Sequence, residues 1–315
     1  MVATYGRAAL LPRLLGALAG EVVTGGLEVI VVDDASPDDT PAVLEALVAR
    51  YPILRVVRQP KNAGPATARN VGWRMATAPL LAFTDDDCIP QRGWANALLE
   101  ALLDADLVQG VTLPNPDQVA NIGPFSRTLE VTSDSGFYQT CNMGYRRELL
   151  ERVGGFDERF PDPAGEDTDL AWRAIGTGAT ARFVPDAVVY HDIRPSSFRT
   201  HVADLRRWRS VVLVAKRHPE LRALAHRRFI WRASHEKVLI GLSGLAMSCT
   251  PVLSRRTRWA ALTLLLPYVW FRARVQPLGG SRWRRLAAIP AAFVADAVEV
   301  AVLARASAHE RTLVL

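Results

Sequence analysis

The stretch LLAFTDDDCIP, residues 80–90, runs a short apolar segment directly into three consecutive carboxylates. A short apolar run of bulky residues is typical of a buried central strand, and open α/β sheets bind ligands at the carboxyl ends of their strands. Because alternate side chains of an extended chain share a face, we expect Asp85 and Asp87 to point into one cleft and Asp86 to point away. Such oxygen ligands suit Mg or Mn. The alternative for an isolated acidic triplet is a solvated loop.

The segments around this stretch alternate between strand and helix patterns, as in a parallel α/β sheet. Residues 2–5 and 27–34 are predicted strands, separated by a helix whose leucines recur at amphipathic spacing. The first strand is shorter than expected, and an incomplete start of the sequence is one explanation for it. Ser36 is predicted to cap a second helix that has Pro37 at its first position. Later elements include a long loop over 112–135, expected to shape a site, and an edge-tolerant strand over 182–190.

Four further residues could carry chemistry. Glu166 and Asp167 open a predicted helix, where the dipole and free N–H groups keep a carboxylate ionised and able to act as a base. Neighbouring helical positions face different directions, so the two acids should have different roles; the alternative is that both are ordinary first-turn acids. His191 ends a predicted strand, and neutral imidazole is a common metal ligand, although a single histidine is usually structural. Arg69, near a helix amino end, could contact a diphosphate or be a surface residue.

Charge is unevenly distributed along the chain. Residues 194–285 hold twenty Lys and Arg against three acids, which leaves eighteen basic and twenty-nine acidic residues elsewhere. A basic region can bind nucleic acid or an anionic membrane surface; no nucleic-acid motif accompanies it, and its apolar runs favour a membrane. Residues 198–219 mix aromatic residues and arginines as interfacial helices do. The uncharged run 238–254 is short for a span. We therefore expect helices lying on, or dipping into, a membrane; the alternative is a helical subdomain packed on the sheet.

Six motifs in this order resemble family 2 glycosyltransferases of the GT-A fold. They are VVDDAS at 31–36, NAGPATARN at 62–70, FTDDD at 83–87, GGFD at 154–157, EDTDL at 166–170 and VYH at 189–191. The resemblance covers residues 1–215. Together with the composition it predicts an α/β, Rossmann-like GT-A catalytic domain over 1–195, with a mostly parallel sheet and flanking helices. A basic, apolar, membrane-associated helical region is predicted over 196–315.

The resemblance assigns roles around a nucleotide-sugar donor. It implies that Asp34 pairs with the nucleobase, with Thr4 and Tyr5 beside it, and that Arg69 lies near the nucleotide. The residues assigned to the nucleotide sugar are Thr4, Tyr5, Asp34, Arg69, Asp85 and Asp86.

The resemblance also implies a metal site. Asp85 and Asp87 match the outer positions of the DxD motif, with Asp87 as direct ligand and Asp85 nearer the ribose and the metal. His191 matches a histidine that completes the metal shell in galactofuranosyl- and rhamnosyltransferase-like members. The implied cofactor is Mn or Mg.

The implied reaction is a metal-dependent, inverting displacement in a bacterial cell. Asp167 matches the general base, which takes the proton of the acceptor hydroxyl, and Glu166 is expected to contact the acceptor. The expected acceptor is a lipid-linked or cell-envelope glycan at the cytoplasmic face of the cell membrane. The alternatives are a nucleotidyltransferase, for which residues 6–9 are a poor glycine-rich loop, or a non-catalytic membrane-associated scaffold, which predicts broken motifs.

Overall fold

The computed structural model describes residues 1–160, 163–274 and 282–315. Strands and helices alternate as far as β4 and are interspersed from there to His191, and helices follow. The strands are β1 Val2–Thr4, β2 Val29–Asp33, β3 Leu54–Arg58, β4 Leu80–Thr84, β5 Cys88–Pro90, β6 Leu107–Pro114, β7 Asn142–Arg146 and β8 Ala181–His191. The helices are α1 Leu11–Ala19, α2 Thr40–Arg50, α3 Pro65–Met75, α4 Trp94–Asp104, α5 Arg147–Val153, α6 Glu166–Gly176, α7 Phe198–Asp204, α8 Arg209–Arg217, α9 Ala233–Cys249, α10 Arg255–Ala261, α11 Leu266–Arg274, α12 Arg282–Ala287 and α13 Ile289–Glu310.

The chain divides into two compact units, and the first contains all the named strands. It comprises Met1–Pro116 and Thr128–Asp192, whereas Asp117–Arg127 and Ile193–Leu315 form the second unit. This division differs from the predicted ranges because one segment of the predicted long loop belongs to the second unit.

The sheets of the first unit mix parallel and antiparallel pairs. β1, β2 and β3 form a parallel sheet, while the second sheet has the order β4-β7-β6-β8-β5, in which only the β6–β8 pair is parallel. The prediction of a mostly parallel sheet is therefore corrected to a mixed one. The difference comes from the antiparallel pairs of β7 and β5, two strands that were not predicted from the sequence. A Cβ at Gly144 would lie 2.7 Å from Val108 Cγ2, so close packing, rather than a strand-like residue pattern, defines β7.

Two backbone hydrogen bonds connect the sheets. The amine of Met1 donates to the carbonyl of Ala82 at 2.7 Å, and the N–H of Thr84 donates to the carbonyl of Met1 at 3.2 Å. These bonds flank Phe83, as in a parallel pair. The carboxyl ends of β1, β2 and β4 therefore lie at one edge, where the acidic residues follow.

Helices cover both faces of these strands because the side chains of β2 alternate. Val29 and Val31 lie in one core with leucines of α1 and α4, whereas Ile30 and Val32 lie in the other with residues of α3 and α6. Helix α2 begins at Thr40, four positions after the predicted cap. The hydroxyl of Ser36 instead accepts from Gly6 N at 2.9 Å, and Asp38 Oδ1 accepts from Thr40 N at 3.1 Å.

The predicted edge-tolerant strand is β8, which lies inside its sheet, between β6 and β5. Gly110 pairs with Val184 and Val111 pairs with Val188, so the residues between them bulge out. Pro185 lies in this bulge, where a residue that lacks an N–H is tolerated. Beyond the bulge the strand continues to His191, which pairs with Cys88 of β5.

The second unit is built around α13, which packs against α8, α9 and α11. Asp296 and Glu299, which interrupt an apolar run in the sequence, are buried: Tyr268 and Arg272 donate to Asp296, and Arg232 donates to Glu299. Across the described ranges, no helix has both the length and the apolar character needed to cross a bilayer. The membrane association of this region stays a prediction.

Candidate active site

The three acids after β4 lie in a β-turn. Cys88 N donates to the carbonyl of Asp85 at 3.1 Å, which closes the turn before β5 begins. Side chains do not alternate in a turn as they do in a strand, so alternation does not set the directions of Asp85 and Asp87, and their sharing of one cleft stays a prediction. Each of the three carboxylates instead has its own partner: Asp85 contacts Arg69, Asp86 accepts from Thr4, and Asp87 faces His191.

Asp87 and His191 form the core of a possible metal site. His191 Nδ1 lies 2.8 Å from the carbonyl oxygen of Asp192, which can only accept, so this nitrogen carries the proton. In the neutral ring Nε2 then has the lone pair, and it lies 3.6 Å from Oδ1 of Asp87. A carbonyl that fixes the tautomer of a metal-binding histidine is a common arrangement. A carboxylate oxygen and an imidazole nitrogen that face each other in this way fit a divalent cation.

The third donor near this pair differs from the predicted one. Cys88 Sγ lies within 4.8 Å of the donor atoms of Asp87 and His191. A hydrogen bond with Cys141 and burial raise the pKa of the Cys88 thiol well above its usual value. Mn and Mg prefer oxygen donors, so this soft sulfur is a poor ligand for them. Asp85 is not part of this cluster among the residues that the structure covers; its carboxylate is bound to Arg69.

Arg69 links the acidic turn to the acidic start of α6. Its NH2 donates to Asp85 Oδ1 and its NH1 to Glu166 Oε1, both at 2.9 Å. The guanidinium is nearly buried and lies over the ring of Phe156 at 5.6 Å. Burial alone would lower the pKa of Arg69, but Asp85 and Glu166 raise it above its usual value. Arg69 is therefore a fixed positive charge between two candidate functional groups.

The two acids that begin α6 have different environments. Glu166 is 4% exposed; burial, followed by the charge of Asp167, raises its pKa to about 7. Its Oε2 is buried without a hydrogen-bond partner in the described ranges. Asp167 is half-buried and accepts from Thr140 N at 3.2 Å and from Thr168 N at 2.9 Å. Burial raises the pKa of Asp167 as well. The two acids thus differ in exposure and in hydrogen-bond partners; their separate roles stay a prediction.

The residues predicted to contact the nucleobase lie at the ends of β1 and β2. Asp34 is buried and accepts three bonds, from Gln59 Nε2 at 2.7 Å and from the N–H groups of Ala63 and Gly64 at 2.8 Å. It therefore fixes the loop that leads into α3, and burial raises its pKa. Tyr5 is 48% exposed and accessible to a ligand. Contact of either residue with a base stays a prediction.

Thr4, unlike the exposed Tyr5, is buried, and its hydroxyl donates to Asp86 Oδ2 at 2.8 Å. Burial, followed by the charge of Asp87, raises the pKa of Asp86 to about 7. Strand alternation predicts that Asp86 points away from the site. In the structure its carboxylate instead ties the turn to the end of β1.

Asn70 and Arg173, which hold the motifs in place, were not predicted from the sequence as functional residues. Asn70 Oδ1 accepts from Phe156 N at 2.9 Å, and its Nδ2 donates to Phe156 O at the same distance. Arg173 donates to Asp169 and to the carbonyls of Val153 and Gly155. The position of Asn70 directly after Arg69 in the NAGPATARN motif was the available signal. The GGFD motif is thus a structural connection between α3 and α6.

Comparisons with known proteins identify the family. Residues 1–154 match the model described as glycosyl transferase family 2, and residues 85–274 match that described as glycosyl transferase family group 2. Pre-mycofactocin glycosyltransferase of Mycobacterium tuberculosis is 33% identical over 219 residues, or 62% of this chain. The match covers 44% of that relative, so this chain spans less than half of its length.

Two solved structures share the fold. A mannosyltransferase of Pyrobaculum calidifontis, in complex with GDP-Man and Mn²⁺, has a TM-score of 0.60 and 21% identity over 97% of this chain and 85% of that chain. S. aureus TarS in complex with UDP has a TM-score of 0.51 and 19% identity over 87% of this chain and 92% of that chain. The second family match extends over more than half of the sequence, and the chain therefore belongs to glycosyl transferase family group 2.

Proposed function

We propose that this chain is a glycosyltransferase that moves a sugar from a nucleotide-diphosphate sugar to an acceptor hydroxyl, with inversion at the anomeric carbon. The observation that carries the proposal is the double contact of Arg69 with Asp85 and Glu166. It joins the acidic turn after β4 to the acidic start of α6. The turn is suited to a donor diphosphate held through a divalent cation, and the start of α6 is suited to proton transfer. The GDP-Man and UDP bound by the solved structures support a nucleotide donor.

Asp167 is the general base in this proposal. It is the more exposed of the two acids, and the N–H groups of Thr140 and Thr168 stabilise its ionised form. The acceptor oxygen attacks the anomeric carbon as the bond to the diphosphate breaks, and the acceptor proton passes to Asp167. Glu166 sits beside it and is assigned to the acceptor side, where its charge is balanced by Arg69.

The donor side is assigned to the acidic turn. Asp87 and His191 would hold a divalent cation, Mn or Mg, which when bound would neutralise the negative charge of the leaving diphosphate. The Mn²⁺ in the mannosyltransferase complex supports this assignment. Thr4, Tyr5, Asp34 and Asp86 are assigned to the base and ribose side, with Asp85 between the ribose and the cation.

We also propose a lipid-linked or cell-envelope glycan as the acceptor, reached from the cytoplasmic face of a bacterial membrane. The basic second half of the chain supports this location, because anionic lipids attract clustered arginines. The galactofuranosyl- or rhamnosyltransferase-like subtype rests on His191, and the donor screen described next tests it.

The test is a screen of UDP-, GDP- and dTDP-sugars, including galactofuranose and rhamnose donors, with Mn or Mg. We expect one donor to raise the melting temperature and to release nucleoside diphosphate in a metal-dependent reaction. The Arg69→Met variant should lose this release. Arg74→Met is the matched control, since Arg74 lies on the same helix with a half-exposed side chain.

Melting curves of both variants separate loss of chemistry from loss of fold. If no donor is bound or cleaved by the wild type, the chain is a non-catalytic scaffold. If a folded Arg69→Met variant releases diphosphate as fast as the wild type, the Arg69 contacts do not carry the reaction.

A further inference from the structure

We propose that α10 and α11 of the second unit form a docking face for an anionic lipid bilayer. We define this docking face by Arg255, Arg256, Trp259, Leu266, Val269 and Trp270. The inference adds a specific surface to the membrane location proposed above. Its test measures vesicle binding without donor or metal, so its failure can be distinguished from failure of the proposed transferase activity.

The docking face exposes large apolar side chains. On α11, Leu266 is 60%, Val269 40% and Trp270 58% exposed. Their spacing of three and four positions places them on one side of the helix. Trp259 on α10 is 64% exposed. Exposed apolar side chains grouped in this way mark an interaction surface more often than isolated ones do.

The opposite side of the same helices is fixed within the second unit. Tyr268 of α11 is 1% exposed, and its hydroxyl donates to Asp296 Oδ2 of α13 at 2.9 Å. A Cβ at Gly244 of α9 would lie 2.5 Å from the carbonyl oxygen of Ala261 in α10. Helix α9 therefore contacts the inner side of α10 at backbone distance. Because these contacts anchor the inner side, the apolar residues of the docking face stay directed outward.

The charge around the docking face selects an anionic partner. Residues 237–295 contain nine Lys and Arg and no Asp or Glu. Arg255 and Arg256 are exposed at the start of α10, and the guanidinium of Arg274 lies 3.8 Å from the ring centroid of Trp270. Tryptophan beside arginine is typical of helices at a membrane interface, where the ring enters the headgroup layer and the cation meets lipid phosphate.

This combination favours lipid over the other possible occupants. Two copies of the docking face would bring like charges together without an acid to pair them, which opposes self-association. Nucleic acid would satisfy the arginines but would leave the aliphatic Leu266 and Val269 in water. An anionic bilayer satisfies both groups, because its surface offers phosphates next to a region that accepts apolar side chains.

The experiment is vesicle flotation of the full chain with phosphatidylcholine alone and with added phosphatidylglycerol. We expect binding to the anionic vesicles only, weakened by salt. The Arg255→Gln/Arg256→Gln variant should bind about 25-fold more weakly, from about fivefold for each arginine. The Trp259→Ser/Trp270→Ser variant should bind at least about tenfold more weakly. The control is Leu103→Ser/Arg182→Gln, which changes an exposed leucine and an exposed arginine of the first unit.

Melting curves establish that each variant is folded before its binding is compared. The absence of flotation with anionic vesicles would overturn the proposal, as would equal binding of the wild type to neutral vesicles. An equal loss in the control variant would also overturn it. A dimer that forms without lipid and that Trp259→Ser/Trp270→Ser abolishes, or RNA binding in place of vesicle binding, would reassign the docking face to that partner.

Discussion

Nε2 of His191, the last residue of β8, faces Oδ1 of Asp87 in the acidic turn at 3.6 Å. The pair depends on the antiparallel register of β5 with β8, in which Cys88 lies opposite His191. The histidine is fixed by its own Nδ1 bond to the Asp192 carbonyl. Two groups with available lone pairs are thus held together by backbone geometry, and a cation between them would bond to both.

Removal of either group should weaken metal-dependent nucleotide binding. We expect Asp87→Ala and His191→Ala to lower nucleotide affinity in Mn or Mg by about tenfold or more, since each loses a ligand. Titration calorimetry with and without a chelator measures the effect. His309→Ala, at an exposed histidine, should behave as the wild type. Equal affinity with and without metal, in the wild type and both variants, would contradict this metal site.

Loss of the general base should affect transfer and not donor binding. We expect Asp167→Asn to bind the donor normally and to transfer sugar roughly 10²–10⁴-fold more slowly, the usual contribution of a positioned base. Glu166→Gln should have a smaller effect. Initial transfer rates at saturating donor, with donor affinity measured separately, provide the comparison. Normal transfer by Asp167→Asn together with an inactive Glu166→Gln would exchange the two roles.

Ionisation of buried Glu166 should make the fold less stable as pH rises. Its pKa is raised from 4.5 to about 7, so between these values the folded chain holds a proton that the unfolded chain has lost. By linkage the stabilisation is complete below 4.5 and is lost as pH rises through about 7. Glu166→Gln cannot ionise and should show a flatter dependence of the free energy of unfolding on pH. Denaturant titrations from about pH 5 to about pH 8 measure the slopes.

Glu151→Gln, at an exposed carboxylate of α5, is the control for that series. It should reproduce the wild-type slope. Indistinguishable slopes for the wild type and Glu166→Gln would show that Glu166 does not ionise within this range in the folded chain.

Alanine should be tolerated less well at Gly155 than at Gly154. Both glycines have positive φ, +79° for Gly154 and +74° for Gly155, so both substitutions carry backbone strain. A Cβ at Gly154 meets nothing within 4 Å, but one at Gly155 would lie 2.5 Å from Asn70 Oδ1. We expect Gly155→Ala to lower the free energy of unfolding by about 1–3 kcal/mol more than Gly154→Ala does. Equal losses in denaturant titrations would count against close packing of this motif on α3.

Local sequence patterns predicted those helices and strands that are determined by residues close together in the chain. The leucine spacing of α1 and the apolar run of β4 are of this kind, and both elements form. Strand β7 was missed because Gly144 carries no strand signal; its place depends on contact with Val108. The interior position of β8 could not be predicted from the sequence, because Pro185 is accommodated by a bulge that depends on pairing with β6.

Dependence on contacts between distant residues also limits what the sequence can predict about the site. Asp87, Asp167 and His191 became candidates through their positions at strand and helix ends, which are local features, and the resemblance to family 2 glycosyltransferases assigned their roles. The directions of the three acids were not predictable from alternation, because the bond from Cys88 N to Asp85 O makes a turn. Nor could the sequence show that Arg69 binds Asp85 and Glu166 together, since that depends on the packing of α3 and α6.

The contact between Arg69 and Glu166 joins residues 97 positions apart in the chain. During synthesis, α3 leaves the ribosome well before the partner of its arginine has been made. The loop that must close between them carries an entropic cost before any contact is gained. The side chains of the site are therefore all present only after His191 has been added. Binding of metal and nucleotide would then show that the first unit has finished folding.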